Sequence, residues 1–230
     1  MRIADMDWQM VEDWARHDDR AVLPIGSTEQ HAGLSLATDT ILAERLANEA
    51  AEPLGVPVFP ALPFGVTPAF AAFPGSVTLR VETLCAVLRD VLDSLKRSGF
   101  RRILIVNGHG GNVAAWSFAQ EWMMDNPDCR VRLHDWWTAP LARARALATD
   151  PTASHANWAE NFAWTRLPTT PAEGEKPMVD AGRLYALPPF EVRGVLEDGS
   201  YGGPVRRGDA EMRAIWDVAV EETRALLDGW

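Results

Sequence analysis

Residues 101–108 read RRILIVNG, and from Ile103 to Val106 every position is apolar. A strand buried on one face alternates with polar residues. One that is apolar throughout is covered on both faces, as in a parallel sheet sandwiched between helices. A run of the same kind, RAVLPIG (Arg20–Gly26), stands earlier in the chain. Parallel neighbours require long crossover connections, so the fold must alternate strand and helix.

The remaining sequence supplies such elements. An amphipathic helix is predicted over Met6–His17, carrying Trp8, Met10, Val11 and Trp14. A second begins at Thr38 or Asp39, either of which can cap it, and ends before Pro53. VPVFPAL (Val56–Leu62) reads as a strand, the Pro- and Phe-rich stretch after it as a loop, and SVTLR as a short strand. Val81–Ser98 places Leu84, Leu88, Leu92 and Leu95 on one helical face, with Gly99 closing it. After the central strand, Gly110, Gly111 and Asn112 turn into a helix reaching about Asp125, with Asn112 suited to capping it and holding the loop. A strand over Cys129–Trp137, a helix over Pro140–Ala148 and a further helix from Asn157 follow. Residues 168–206 read as loops with short strands, and Arg207–Leu227 as a closing helix. The expectation is a layered α/β fold with a mostly parallel sheet, one domain over 1–230.

The formal charge of −10 argues against nucleic acid or an anionic membrane as partner. No stretch approaches the ~20 apolar residues of a transmembrane helix, and MRIADMDWQMVEDWARHDD lacks the apolar core of a signal peptide. Cys85 and Cys129 form neither a metal-type spacing nor a disulfide framework. These features point to a cytoplasmic location.

Both apolar runs end in metal-competent residues. The first leads into GSTEQHAGLSLATD, which gathers Glu29, His31 and Asp39; the second leads into HGGN, which supplies His109. Ligands in open α/β sheets bind beyond the carboxyl ends of the strands, where both loops lie. Mixed carboxylate and imidazole ligands suit Zn²⁺ or Mn²⁺.

These motifs resemble the creatininase family of metal-dependent amidohydrolases, whose members read LPxGSxEQHG…LPLxTD, then VNGHGGN, then HAGExET. This chain has LPIGSTEQH and ATD, an intact VNGHGGN, and SHANWAEN at the third station; its GVLEDGSYGGPVRRGDAEM is similar to the family's tail. The resemblance implies a three-layer α/β/α sandwich and a homo-oligomer, commonly a hexamer. It makes Glu29, His31, Asp39 and His109 metal ligands, with Asp39 bridging two divalent ions (Zn or Mn, with Fe also possible). Glu160 matches the second acid of HAGExET and completes the second site. His155 matches a histidine that stands beside the metals and handles protons. Three departures are visible: EQHAGLSLATD lacks the customary second His and Pro, Asn157 and Trp158 replace Gly and Glu, and Asn161 replaces Thr.

The implied chemistry is hydrolysis by metal-activated water of a C–N bond in a small cyclic substrate of the amide type. Trp136, Trp137 and Trp158 offer flat walls for a ring, and Gly110 allows close backbone approach. Two alternatives are hydrolysis of a ring C–C bond in an oxidised cyclitol of the 3-dehydro-inosose type, and a non-catalytic metabolite-binding protein. Peptide trimming in cofactor maturation also occurs in the family and ranks below these.

Overall fold

The computed structural model describes residues 1–230. Three parallel strands, β1 (Arg20–Ile25), β2 (Arg102–Asn107) and β3 (Arg130–Asp135), form the sheet in the order β1-β2-β3. Their register sets Arg20, Arg102 and Arg130 in one row and Ile25, Asn107 and Asp135 in the last. Successive side chains point to opposite faces, and each set meets its own core. Val22, Leu104 and Val106 pack with residues of α2 (Thr38–Ala51) and α8 (Asp209–Asp228), among them Leu42, Leu46, Ile215 and Trp216. Ala21, Leu23, Ile25, Ile103 and Ile105 pack with Leu84, Leu88, Leu92 and Leu95 of α3 (Val81–Arg97) and Phe118 and Trp122 of α4 (Ala114–Asp125). The result is a three-layer α/β/α sandwich in which the unbroken apolarity of the strands is explained by two filled faces. Each buried leucine of α3 contributes about 1.5–3 kcal/mol.

The α1 helix (Trp8–Ala15) is shorter than predicted because Asp7 caps it: its Oδ1 accepts the Met10 N–H at 2.9 Å. The α5 helix (Pro140–Thr149) begins on its proline, as expected. Residues 56–62 do run parallel to β1, touching it at Val58 and Leu62, but only as isolated bridges. The bonds from Phe59 N–H to Val22 O and from Leu62 N–H to Pro24 O are three residues apart on one side and two on the other, so the ladder slips by one residue between them. SVTLR likewise makes only bridges, from Val77 to Thr28 and from Thr78 to Gly65.

The helix expected from Asn157 does not form. Only a single 3₁₀ turn, Trp158–Glu160, is present. Side chains claim its backbone instead: Asn157 Oδ1 accepts from the Ser154 and Ala159 amides, and the Thr165 hydroxyl bonds the Glu160 carbonyl. This is the competition by which Asn and Thr disfavour helix interiors. Residues 168–206 contain two short helices, α6 (Ala181–Leu184) and α7 (Pro189–Leu196), and a two-residue antiparallel pair, β4 (Glu175–Lys176) with β5 (Gly203–Pro204). A small separate core of Phe70, Phe73, Leu184, Val192 and Leu196 holds α6 and α7 down. No helix is long and apolar enough to cross a membrane.

Candidate metal centre

The ends of β1 and β2 deliver their loops to one place, and α2 starts there with Asp39 in its first turn. Glu29, His31 and Asp39 are 0–2 % exposed, and His109 is 6 % exposed. His31 Nε2 stands 2.9 Å from Asp39 Oδ1, while His109 Nδ1 lies 3.0 Å from Asp39 Oδ2 and 3.3 Å from Glu29 Oε2. Glu160 reaches in from the 3₁₀ turn, with Oε2 3.7 Å from His31 Nε2.

The tautomers are fixed from behind. His31 Nδ1 faces the Glu29 carbonyl at 3.1 Å and His109 Nε2 faces the Val66 carbonyl at 3.0 Å. A carbonyl only accepts, so both nitrogens carry protons, and the opposite nitrogens, which face the carboxylates, are the ones a metal could take. Glu29 Oε2, His31 Nε2 and Asp39 Oδ2 are buried without a directed hydrogen bond, despite their close approach. Buried polar atoms are nearly always partnered, so a convergent set of unpartnered ones is a candidate donor set for a cation. Ligand atoms group as Glu29, Asp39 and His109, as His31, Asp39 and Glu160, and as Glu29, His31 and His155. Asp39 is common to the first two.

Without a cation the groups share protons. Burial opposes charge on His31, yet Asp39 and Glu160 outweigh it and hold the imidazole up at about 10; Glu29 and Asp39 likewise raise His109, against its burial. Burial pushes the Glu160 carboxyl up to about 7, against the pull of His31. Asp39 is held well below the usual carboxylate range by His31 and His109, in spite of its burial. His155 is lowered to about 4, first by burial and then by the charge of His31.

Two buried asparagines brace the second loop. Asn107 Nδ2 donates to Asp135 Oδ1 at 2.7 Å and to the His109 carbonyl at 2.8 Å, and its Oδ1 accepts the His109 N–H. Asn112 holds the loop as expected but does not cap α4. Its amide donates to Gly26 O and Asn107 Oδ1 and accepts the Val66 N–H. At Gly111 a Cβ would stand 2.0 Å from the Val66 carbonyl, so only glycine fits. Asn107 drew no notice in the sequence; its place between the strand and His109 was the available signal.

A cleft of about 770 Å³ opens above the carboxylates. Trp136, Trp137, Trp158 and Gly110 all line it. Trp158 is fully buried, and its Nε1 donates to Thr152 Oγ1 at 3.2 Å. Trp136, 4 % exposed, packs edge-to-face against Trp137, Phe162 and Trp216, so both of these indoles serve chiefly as core. Trp137 is only half-buried and gives the cleft its aromatic surface. The opposite wall adds Phe70, Tyr201 and the exposed Tyr185, none of which the sequence marked.

The family model described as Creatinine amidohydrolase matches residues 4–227. The chain belongs to the creatininase family. Its members are metal-dependent hydrolases, and the convergent donor set belongs to that chemistry. A "Mycofactocin precursor peptide peptidase" of Mycobacterium tuberculosis is 30% identical over 227 residues, 91% of this chain and 84% of the relative. Its namesake from Mycolicibacterium smegmatis is 38% identical over 105 residues, 43% of this chain and 42% of the relative. The "Creatinine amidohydrolase" of Pseudomonas putida is 30% identical over 117 residues, 48% and 45% of the two chains. These last two matches therefore span less than half of the relatives' lengths. Among solved structures, "Creatininase Mn" superposes with TM-score 0.82 at 19% identity, covering 99% of this creatininase-family chain and 97% of the other. A mutant creatininase described as "Zn-Zn type" gives TM-score 0.78 at 18% identity, covering 99% and 97%.

Proposed function

We propose that this chain is a dinuclear metal-dependent hydrolase that cleaves an amide C–N bond. The observation that carries the reading is Asp39, whose two oxygens face two different ligand sets across a single carboxylate. Glu29, Asp39 and His109 would hold one ion; His31, Asp39 and Glu160 would hold the other. The three carboxylates bring three negative charges into a buried site. Two dications offset those charges, whereas protons neutralise them only by keeping His31 and His109 charged. Bound there, such ions supply Lewis-acid polarisation of a carbonyl and lower the pKa of water.

The protein's own contribution is placement. Asn107, Asn112 and the carbonyls of Glu29 and Val66 hold the ligands before any metal arrives. His155 lines the cleft and faces two of these carboxylates, with Nδ1 4.0 Å from Glu29 Oε1 and 3.9 Å from Glu160 Oε2, where it would meet a bound substrate. In the overall reaction the elements of water replace the C–N bond, and one proton ends on the leaving nitrogen.

The cleft sets the substrate's size. At about 770 Å³ it lies in the upper part of the ~300–1,000 Å³ range of sites for drug-sized ligands. A cleft of this size has room for an amide carried on a larger apolar framework than a single small ring stacked on Trp137. The relative that aligns along 91% of the chain is named a peptide peptidase, and a peptide amide suits these dimensions.

The test is elemental analysis of untagged protein, followed by assay of the metal-loaded form against cyclic amides and short apolar peptides. Two divalent ions per chain with release of an amine is the expected result. A new carboxylic acid without an amine would mean a C–C bond is cut. No uptake of Zn²⁺ or Mn²⁺ would overturn the reading.

A further inference from the structure

Gln30 sits between the two ligands Glu29 and His31 and is 5 % exposed. Its side-chain amide has three partners, two of them backbone groups. Nε2 donates to the Gly199 carbonyl at 3.0 Å and lies 2.9 Å from His155 Nε2; Oε1 accepts the Ala32 N–H at 3.1 Å. A carbonyl cannot donate and a peptide N–H cannot accept. The amide's nitrogen and oxygen are therefore not interchangeable. His155 Nε2 consequently faces an N–H and must offer it a lone pair. The single proton of a neutral imidazole is then on Nδ1, the nitrogen 4.0 Å from Glu29 Oε1 and 3.9 Å from Glu160 Oε2.

The surroundings prevent the ring from escaping this choice. Phe70 stacks on His155 at 4.8 Å and 15°, and Tyr201 meets it edge-on at 5.0 Å. Gly199 has φ +98°, and a Cβ there would lie 1.7 Å from Gln30 Oε1. Only glycine adopts that backbone freely and lets its carbonyl close on the amide.

We infer that Gln30 is a positioning residue that fixes His155 with its proton on Nδ1, making it a hydrogen-bond donor into the centre rather than a third imidazole ligand. A ring so held has no lone pair on Nδ1 for a metal. Its Nδ1–H is instead presented to negative charge developing on the substrate oxygen, as preorganised donors are. This role rests on the hydrolase reading above, whereas the tautomer does not.

The experiment is ¹⁵N NMR of the imidazoles in zinc-loaded full-length protein, with His155 assigned by the signal lost in His155→Asn. A proton on Nδ1 is expected in the parent, whether or not any substrate is turned over. A proton on Nε2 would overturn the inference. In Gln30→Met, which keeps the length and removes the donor, His155 is expected to populate both tautomers at unchanged zinc content. There kcat falls about 10- to 100-fold, the usual loss for an outer-shell partner, with little change in KM. An unchanged Nδ1–H spectrum in that variant would remove Gln30 from the role. Gly199→Ala, which displaces the Gln30 amide without altering it, is expected to reproduce the mixed spectrum; the parent's spectrum there would overturn the part assigned to Gly199.

Discussion

His109 faces Asp39 and Glu29, His155 faces Glu29 and Glu160, and the two histidines are held by different means. His109 follows a strand whose neighbours lie in fixed register, and its loop is tied to β1, β2 and β3 through Asn107 and Asn112. His155 stands on a segment with no regular ladder. Its neighbour Ala156 has φ +56°, and the chain there is pinned by side chains: Asn157 bonds the Thr152 and Gly202 carbonyls and the Ser154 and Ala159 amides. One half of the site is placed by the sheet, the other by individual polar side chains. The sheet-borne half should depend on its ligands and on the few groups that close its loop, Asn107, Gly111 and Asn112. The loop-borne half should depend on residues that never touch a metal.

The sharpest way to break the comparison is Asp39→Asn, which removes the shared carboxylate charge. Metal affinity is expected to fall by well over the ~10- to 100-fold typical of an outer-shell loss, with turnover abolished, as read by elemental analysis and assay. Retention of both ions would dissolve the two-set arrangement.

Asn157→Ala tests the other half. It strips four hydrogen bonds from the loop that carries His155 and Glu160. We expect a loss of about 2–4 kcal/mol in urea denaturation and a fall from two ions toward one, the set of Glu29, Asp39 and His109 surviving.

Acidity separates protons from metal. His31 has a folded pKa of about 10, above its unfolded ~6.5, so the stability it contributes to metal-free protein is full below pH ~6.5 and lost as pH rises through about 10. Glu160, raised to about 7 by burial, costs stability as it ionises between its ordinary ~4.3 and about 7, which is the same direction. The melting temperature of chelator-treated protein should thus decline from pH 6 to 10. Zinc uptake should release protons, visible as buffer-dependent heats, and tighten with rising pH.

The smallest expected effect is at Ala32, which has φ +50° directly after His31. Ala32→Gly relieves a left-handed alanine and should stabilise the protein by up to about 1 kcal/mol in thermal melts, with metal content unchanged.

The sheet-borne half was legible because its logic is local. Apolar runs ended by Glu29, His31 and His109 announce strand, turn and ligand within a few residues each. The slip between Phe59 and Leu62 that interrupts the pairing beside β1 left no such local mark. The loop-borne half was less legible, since its determinants lie far apart in sequence. The helical spacing after Asn157 is real, yet Asn161 Nδ2 donates to Val205 O and Asn157 to Gly202 O, bonds that no periodicity reveals. Gln30 carried no signal of its own, because its partners Gly199 and His155 lie far along the chain. In the same way Phe70, Tyr185 and Tyr201 become a cleft wall only once the segment folds back.

The row that joins Ile25, Asn107 and Asp135 has an evolutionary consequence. Adding one residue to β2 would advance His109 by ~3.3 Å and turn each following side chain to the other face, so strand length is locked. Residues 181–196, which carry Tyr185, have no such lock: doubling a flexible loop costs only about 0.6 kcal/mol of closure entropy. Descendants of this chain can therefore lengthen, shorten or rewrite the wall bearing Tyr185, and so exchange one substrate for another, while Gly199, Tyr201 and Gly202 keep their hold on the ligand loops.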